Sequence, residues 1–192
     1  MKTMLTALSA LAMTTVAAPA LAQDATAMTG SMTANDAGVS PMMGTSATDY
    51  VKLAADSDMY EIQSSKVALS KSKTPAVRSF AQQMITDHMQ TTKSLMAALK
   101  NGDRTIAKPS TKLSAANASK IALLKKAPKA SFDALYMQQQ TQAHQMAWSL
   151  HKGYATDGTD PALKQVASTA VPIIEQHLQH VKGMTPANMG GM

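Results

Sequence analysis

Residues 74–102, TPAVRSFAQQMITDHMQTTKSLMAALKNG, decide the fold. Thr74 is an N-cap residue and Pro75 suits the first helical position, where no amide proton is needed. Asn101-Gly102 is a helix-stop signal. Between them Val77, Phe80, Ala81, Met84, Ile85, Leu95, Met96 and Leu99 gather on one face, at three- and four-residue spacings. Gln83, Thr86, Gln90 and Lys93 point away. This is a long amphipathic helix that must bury one face against other helices. A histidine, His88, stands at the centre of that face.

Three more long segments repeat the pattern. The first helix is read from Ala47 to Ser72, with Tyr50, Leu53, Ala54, Tyr60, Ile62, Val67, Ala68 and Leu69 inward. The third begins at Ser131 and fades between Gly153 and Gly158. Its face holds Phe132, Leu135, Tyr136, Ala143, Met146, Ala147, Leu150 and Tyr154. The fourth starts at Asp160-Pro161, again cap plus proline, and stops at Gly183. Leu163, Val166, Ala170, Ile173, Ile174, Leu178 and Val181 face in, and Glu175 is read as pointing out. Pro172 interrupts this helix and is expected to kink it. A shorter helix, Ser114 to Ala127, sits in the long connection between the second and third. No valine- or isoleucine-rich stretch alternates with polar residues as a strand would. The expected fold is all-α: a four-helix bundle with one short extra helix between the second and third helices.

The ends of the chain read differently. Lys2, the apolar run Met4–Ala18 and Ala20-Leu21-Ala22 form a secretory signal over residues 1–22. Residues 23–46 are low in complexity and are expected to be a disordered linker. Residues 47–184 are the bundle domain, and 185–192 a flexible tail. The expected location is the periplasm or another part of the cell envelope, with no membrane-spanning segment left after cleavage. There are no cysteines, so stability must come from the packed core. The net charge of +6 falls to +5 without Lys2, and only Lys125, Lys126 and Lys129 cluster. With two arginines and no interleaved aromatics, nucleic acid is not an expected partner. No protein partner is indicated.

Ionisable residues lie where apolar ones belong. Glu61 falls near the middle of the first helix's inner face, His88 in the second and His177 in the fourth. His144 lies on the flank of the third, in a stripe with Asp133, Gln140 and His151. Glu61 is 11 residues before Ser72, His88 13 after Pro75 and His144 13 after Ser131, level within about one turn. His177, 16 after Pro161, falls slightly out of plane. A buried, unpaired carboxylate costs several kcal/mol in effective terms, so Glu61 must be neutralised, paired or bound to a cation. One divalent transition metal ion held by Glu61, His88 and His177, with His144 as a fourth ligand, satisfies all of these groups. A metal-free Glu–His hydrogen-bond network satisfies them too.

Taken together, Glu61, Asp87-His88, Phe132-Asp133-x-x-Tyr136, His144 and the run Val171-Pro172-Ile173-Ile174-Glu175-Gln176-His177-Leu178 resemble the bacterial family called domain of unknown function 4142. The resemblance spans Asp49 to Met184. It implies a ferritin-like bundle and an envelope location, and supplies no reaction. Di-iron ferritin-like centres require Glu-x-x-His pairs. Here Ile85, Thr141 and Ile174 stand three residues before His88, His144 and His177. The residues therefore suit a single ion, and zinc, iron, copper or nickel are all compatible with imidazole and carboxylate.

Three functional expectations follow: an exported metal-binding bundle, a metal-free envelope protein acting in interaction or stress tolerance, and a copper-handling protein using its methionines. The last rests on 16 methionines, many of them in the linker and tail. No nucleophile with an adjacent base and no phosphate-binding glycine loop is present, so the sequence leans away from an enzyme.

Overall fold

The computed structural model describes residues 31–100 and 105–184. The expected signal segment 1–22, residues 23–30 of the expected linker, the expected stop signal Asn101-Gly102 and the expected tail 185–192 lie outside the described residues. Six helices form: α1 (Ala34–Ala37), α2 (Ala47–Lys71), α3 (Pro75–Ala98), α4 (Ala115–Lys126), α5 (Lys129–Asp157) and α6 (Pro161–Gly183). No strand occurs among the described residues, and no helix among them is long and apolar enough to cross a membrane.

Local chemistry sets the helix starts. Ser46 caps α2 by accepting from the Asp49 amide, and Asp160 caps α6 by accepting from Ala162 and Leu163. Thr74 precedes Pro75 as expected, but its hydroxyl donates to Asp133 on α5 at 2.6 Å instead of capping its own helix. α5 starts two residues earlier than the Ser131 signal, directly after Pro128, which fixes the backbone there. α6 is helical straight through Pro172. Pro172 and Ser168 both lie on the exposed side of the helix, where the lost intrahelical bond is least costly.

α2, α3, α5 and α6 form the bundle. α2 pairs with α3 and α5 pairs with α6, while α2 also packs on α5 and α3 on α6. Every neighbouring pair is antiparallel. On α2 and α5, Tyr50 meets His151, Tyr60 meets Gln139 and Ser65 meets Tyr136. The link from α3 to α5 therefore runs the length of the bundle, the single long crossover of a ferritin-like fold. α4 lies within it, alongside α2 and parallel to it. Asp56 receives Ser114 and Asn117 at one end, and Lys71 donates to the carbonyls of Lys125 and Ala127 at the other.

The core has two apolar parts. Phe80, Met84, Phe132, Tyr136, Trp148, Ile174 and Leu178 belong to the larger. Tyr50, Val51, Leu95, Leu150, Tyr154 and Leu163 form the smaller. Buried Asp58, Glu61, His88, His144, His151 and His177 also fill the bundle interior. Two expected inward residues are on the surface: Leu53 is 41 % exposed and Met146 55 %.

The segment 31–46 corrects the disordered-linker expectation for the last two thirds of that stretch. It is an ordered strap along α5. α1 carries a full capping box between Thr33 and Asp36, and Met32 and Ala37 are buried. The Met42 amide donates to the Ser149 carbonyl at 2.8 Å, Gln145 donates to the Ala37 carbonyl and Ser149 to that of Ser40. Met42 passes so close to Gly153 that a β-carbon there would stand 1.9 Å from its carbonyl oxygen.

Candidate metal centre

Three of the four expected ligand residues come together. His88 on α3, His144 on α5 and His177 on α6 are buried, and one nitrogen from each ring lies within 4.8 Å of the others. Their ring centroids are 5.2 to 5.6 Å apart. His177 is thus level with the other two despite its later position in its helix.

The outer nitrogens of these rings are already committed. His144 Nδ1 is 2.8 Å from the Gln140 carbonyl, which can only accept, so this nitrogen carries the proton. His88 Nδ1 lies 2.8 Å from Asp58, and His177 Nε2 lies 2.8 Å from Asp87. A carboxylate on the far side of each ring fixes its tautomer in the same way. Asp58 is held in turn by the hydroxyls of Thr91 and Thr92 at 2.9 and 3.0 Å. The inward nitrogens are therefore His88 Nε2, His144 Nε2 and His177 Nδ1. His88 Nε2 has no protein hydrogen-bond partner.

His144 Nε2 and His177 Nδ1 are 3.3 Å apart. Burial lowers the pKa of His144 well below the usual value, and the neighbouring His88 and His177 add to this. Burial, with His88, lowers His177 to about 4 against the opposing pull of Asp87. Both rings are neutral near pH 7. Each has one proton, and each has spent it on its outer partner. Two lone pairs then face one another in the core. For His88, burial alone would lower the pKa, but the hydrogen bond and charge of Asp58, with Glu61 and Asp87, outweigh it and hold it above the ordinary value.

Glu61 stands apart from this triplet. It is 1 % exposed, and neither carboxylate oxygen has a hydrogen-bond partner. Its Oε1 is 3.8 Å from His144 Nδ1, the nitrogen turned away from the other histidines and committed to Gln140. Burial pushes the Glu61 carboxyl up to about 7, against the pull of nearby His88 and the Gln140 amide. That amide gives its N–H to Ser64 instead.

Two site residues were missed or misread in the sequence. Asp58 lies three residues before Glu61 and so on the same helical face, the one signal in the sequence that places it at the site. Glu175 is not outward. It is buried, and it accepts from the Trp148 indole at 3.0 Å and the Ser31 hydroxyl at 3.2 Å. Asp87, by contrast, stays partly exposed and pairs with His177 on the neighbouring α6.

The fold and site together define an all-helical four-helix bundle with a lengthwise crossover and a histidine cluster in its core. The family described as domain of unknown function (DUF4142) matches residues 31–184, and the chain belongs to it. The match takes in the strap as well as the bundle, beginning 18 residues before the Asp49 at which the motif resemblance starts. No curated protein and no solved structure matches the chain.

Proposed function

We propose that this chain is an exported metal-binding protein that holds one divalent transition metal ion on His88 Nε2, His144 Nε2 and His177 Nδ1. The observation that carries this reading is the convergence of one nitrogen from each of the three rings within 4.8 Å of the others, with 3.3 Å between His144 Nε2 and His177 Nδ1. Two lone pairs at that distance repel, and an electrophile between them turns the repulsion into two bonds. Tetrahedral coordination at a metal–nitrogen distance of about 2.05 Å places neighbouring ligands about 3.3 Å apart. Zinc, which is indifferent to ligand-field geometry, is compatible with this edge. The square arrangement of copper(II) calls for a shorter one, about 2.9 Å at similar bond lengths.

The outer partners support the same reading. Histidine ligands of metals commonly donate their second N–H to a carboxylate or carbonyl, and all three rings here do so. The rings are 0 to 3 % exposed, which favours retention of an ion over turnover of a substrate. The signal over residues 1–22 supports an envelope location.

A second reading has its own observation. A Glu61 carboxyl with its pKa raised to about 7 is partly neutral at physiological pH and tolerates burial without an ion. In that case the cluster is a polar layer that fixes helix register, and function lies on the surface.

Elemental mass spectrometry separates the two. The sample is mature protein, exported by its own signal and purified without chelators or a His tag, beside His88→Ala and His177→Ala. The expected result is near-stoichiometric metal in the wild type and its loss in both variants, with a higher melting temperature for the loaded form. No metal after reconstitution with zinc, iron, copper or nickel, in a folded sample, overturns the metal reading.

A further inference from the structure

A cleft on the opposite side of the α2–α5 wall stands apart from the histidine cluster. Its inner chamber, 290 Å³, lies between α2, α4, α5 and the strap, with Leu53, Met146, Leu150 and Ala147 among its walls. Its outer chamber, 470 Å³, lies between α2 and the crossover before α4. Leu53, Asp56 and Ser114 line both, so the two chambers adjoin. Among the described residues, the large apolar side chains exposed to solvent are Met43, Leu53, Met89, Leu123 and Met146, and two of them sit on this cleft. Apolar side chains gathered in a concave pocket with a few polar groups around it are the pattern of a ligand site.

The rim is cationic. Lys52 and Lys112 line the outer chamber and Lys120 the inner one. None of the three has a carboxylate within ion-pair distance among the described residues. Lys120 rests over the Tyr60 ring, 5.5 Å from its centroid. The one acid at the cleft, Asp56, is occupied: its oxygens accept from the Ser114 amide and hydroxyl and from the Asn117 side chain at 2.7 to 2.9 Å. An apolar chamber with three lysines and no free carboxylate along its lining is complementary to a chain with one anionic end.

The geometry points to a binding site for a single-chain anionic amphiphile, a medium- or long-chain carboxylate. Its chain occupies the chamber between Leu53, Met146 and Leu150, and its headgroup meets Lys52, Lys112 and Lys120. The site is independent of the metal reading, because none of the histidine ligands lines it.

Isothermal titration calorimetry of the mature protein tests this with decanoate below its micellar concentration, beside octanoate, decanol and decyltrimethylammonium. Saturable one-to-one binding is expected, in the order decanoate, decanol, decyltrimethylammonium. Octanoate binds about fifteenfold more weakly than decanoate, about fourfold for each methylene removed. Lys112→Glu/Lys120→Glu weakens decanoate about tenfold and removes the preference over the ammonium compound. Leu53→Asp and Met146→Asp, both at exposed positions, each abolish binding while circular dichroism stays unchanged. Non-saturable uptake, equal binding of the cationic and anionic amphiphiles, or decanoate affinity untouched in both aspartate variants overturns the assignment. The wild-type selectivity series decides the question even if a variant misfolds.

Discussion

Asp58 carries no direct role at the cluster, yet it decides how His88 is used. Two threonine hydroxyls pin its carboxylate, which in turn holds His88 Nδ1 at 2.8 Å. Asp87 does the same for His177. Asp58→Asn and Asp87→Asn keep the shape but remove the charge that makes each imidazole a better donor to metal. Each is expected to weaken zinc binding about 10- to 100-fold, read by competition with a chromophoric chelator. At this scale much was legible. A helical wheel places Glu61, His88 and His177 at the centres of their faces because burial of ionisable groups contradicts the apolar pattern around them. Which nitrogen points where was not legible, because it depends on partners contributed by other helices. Glu175 shows the limit. Its outward position on the wheel is sound for an isolated bundle, but the strap and Trp148 cover that side.

The strap is the element that composition hides. Its Ala, Ser, Thr, Met and Gly content has too little bulk to announce a packed segment. The Thr33-x-x-Asp36 box was nonetheless present as a helix-start signal. What seats it is an absence of side chain at Gly153, which lets the Met42 carbonyl lie against α5. Gly153→Ala should lift the strap off α5. The expected cost is about 1 to 3 kcal/mol in denaturant unfolding, together with faster hydrogen exchange at the Met42 amide, which otherwise donates to Ser149. Unchanged exchange in the variant would show that the strap is held by its other bonds alone. The caps and prolines of α3 and α6 were the most readable elements, because Thr74-Pro75 and Asp160-Pro161 encode their own start. The cap of α5 lies three residues before the expected one, since Ser131 has the chemistry of a cap but is already inside the helix that follows Pro128.

For the whole molecule, the buried histidines set an acid limit. Burial lowers His144 well below the usual value and His151 and His177 to about 4. The unfolded chain takes up protons at these groups near pH 6.5 and the folded chain does not, so stability is lost as pH falls below about 6.5. Glu61 acts in the opposite sense. Its folded pKa, about 7, lies above the unfolded one, so its contribution is present below about pH 4.5 and is lost as pH rises through 7. His88, also raised, loses its contribution above about pH 6.5. Between pH 5 and 6 three histidines oppose one carboxyl, and metal-free protein should lose about 2 to 3 kcal/mol per pH unit. Urea midpoints measured at several pH values, in the presence of a chelator, check this. A flat profile from pH 6.5 to 5 would mean that these rings already bind protons in the fold. Zinc should shift the acid limit lower, because it occupies the same lone pairs.

The lengthwise crossover also orders events in time. Neighbouring helices α2 and α3 can pair as soon as both exist, and so can α5 and α6. Contacts between the two pairs join distant parts of the chain, as where Tyr50 meets His151, 101 positions later. Such non-local closures come late in folding. The first hairpin brings His88 with Asp58, and the second brings His144 with His177. Neither hairpin contains the whole cluster. The three rings meet only where the halves dock, so the cluster belongs to the interface between the hairpins rather than to either half.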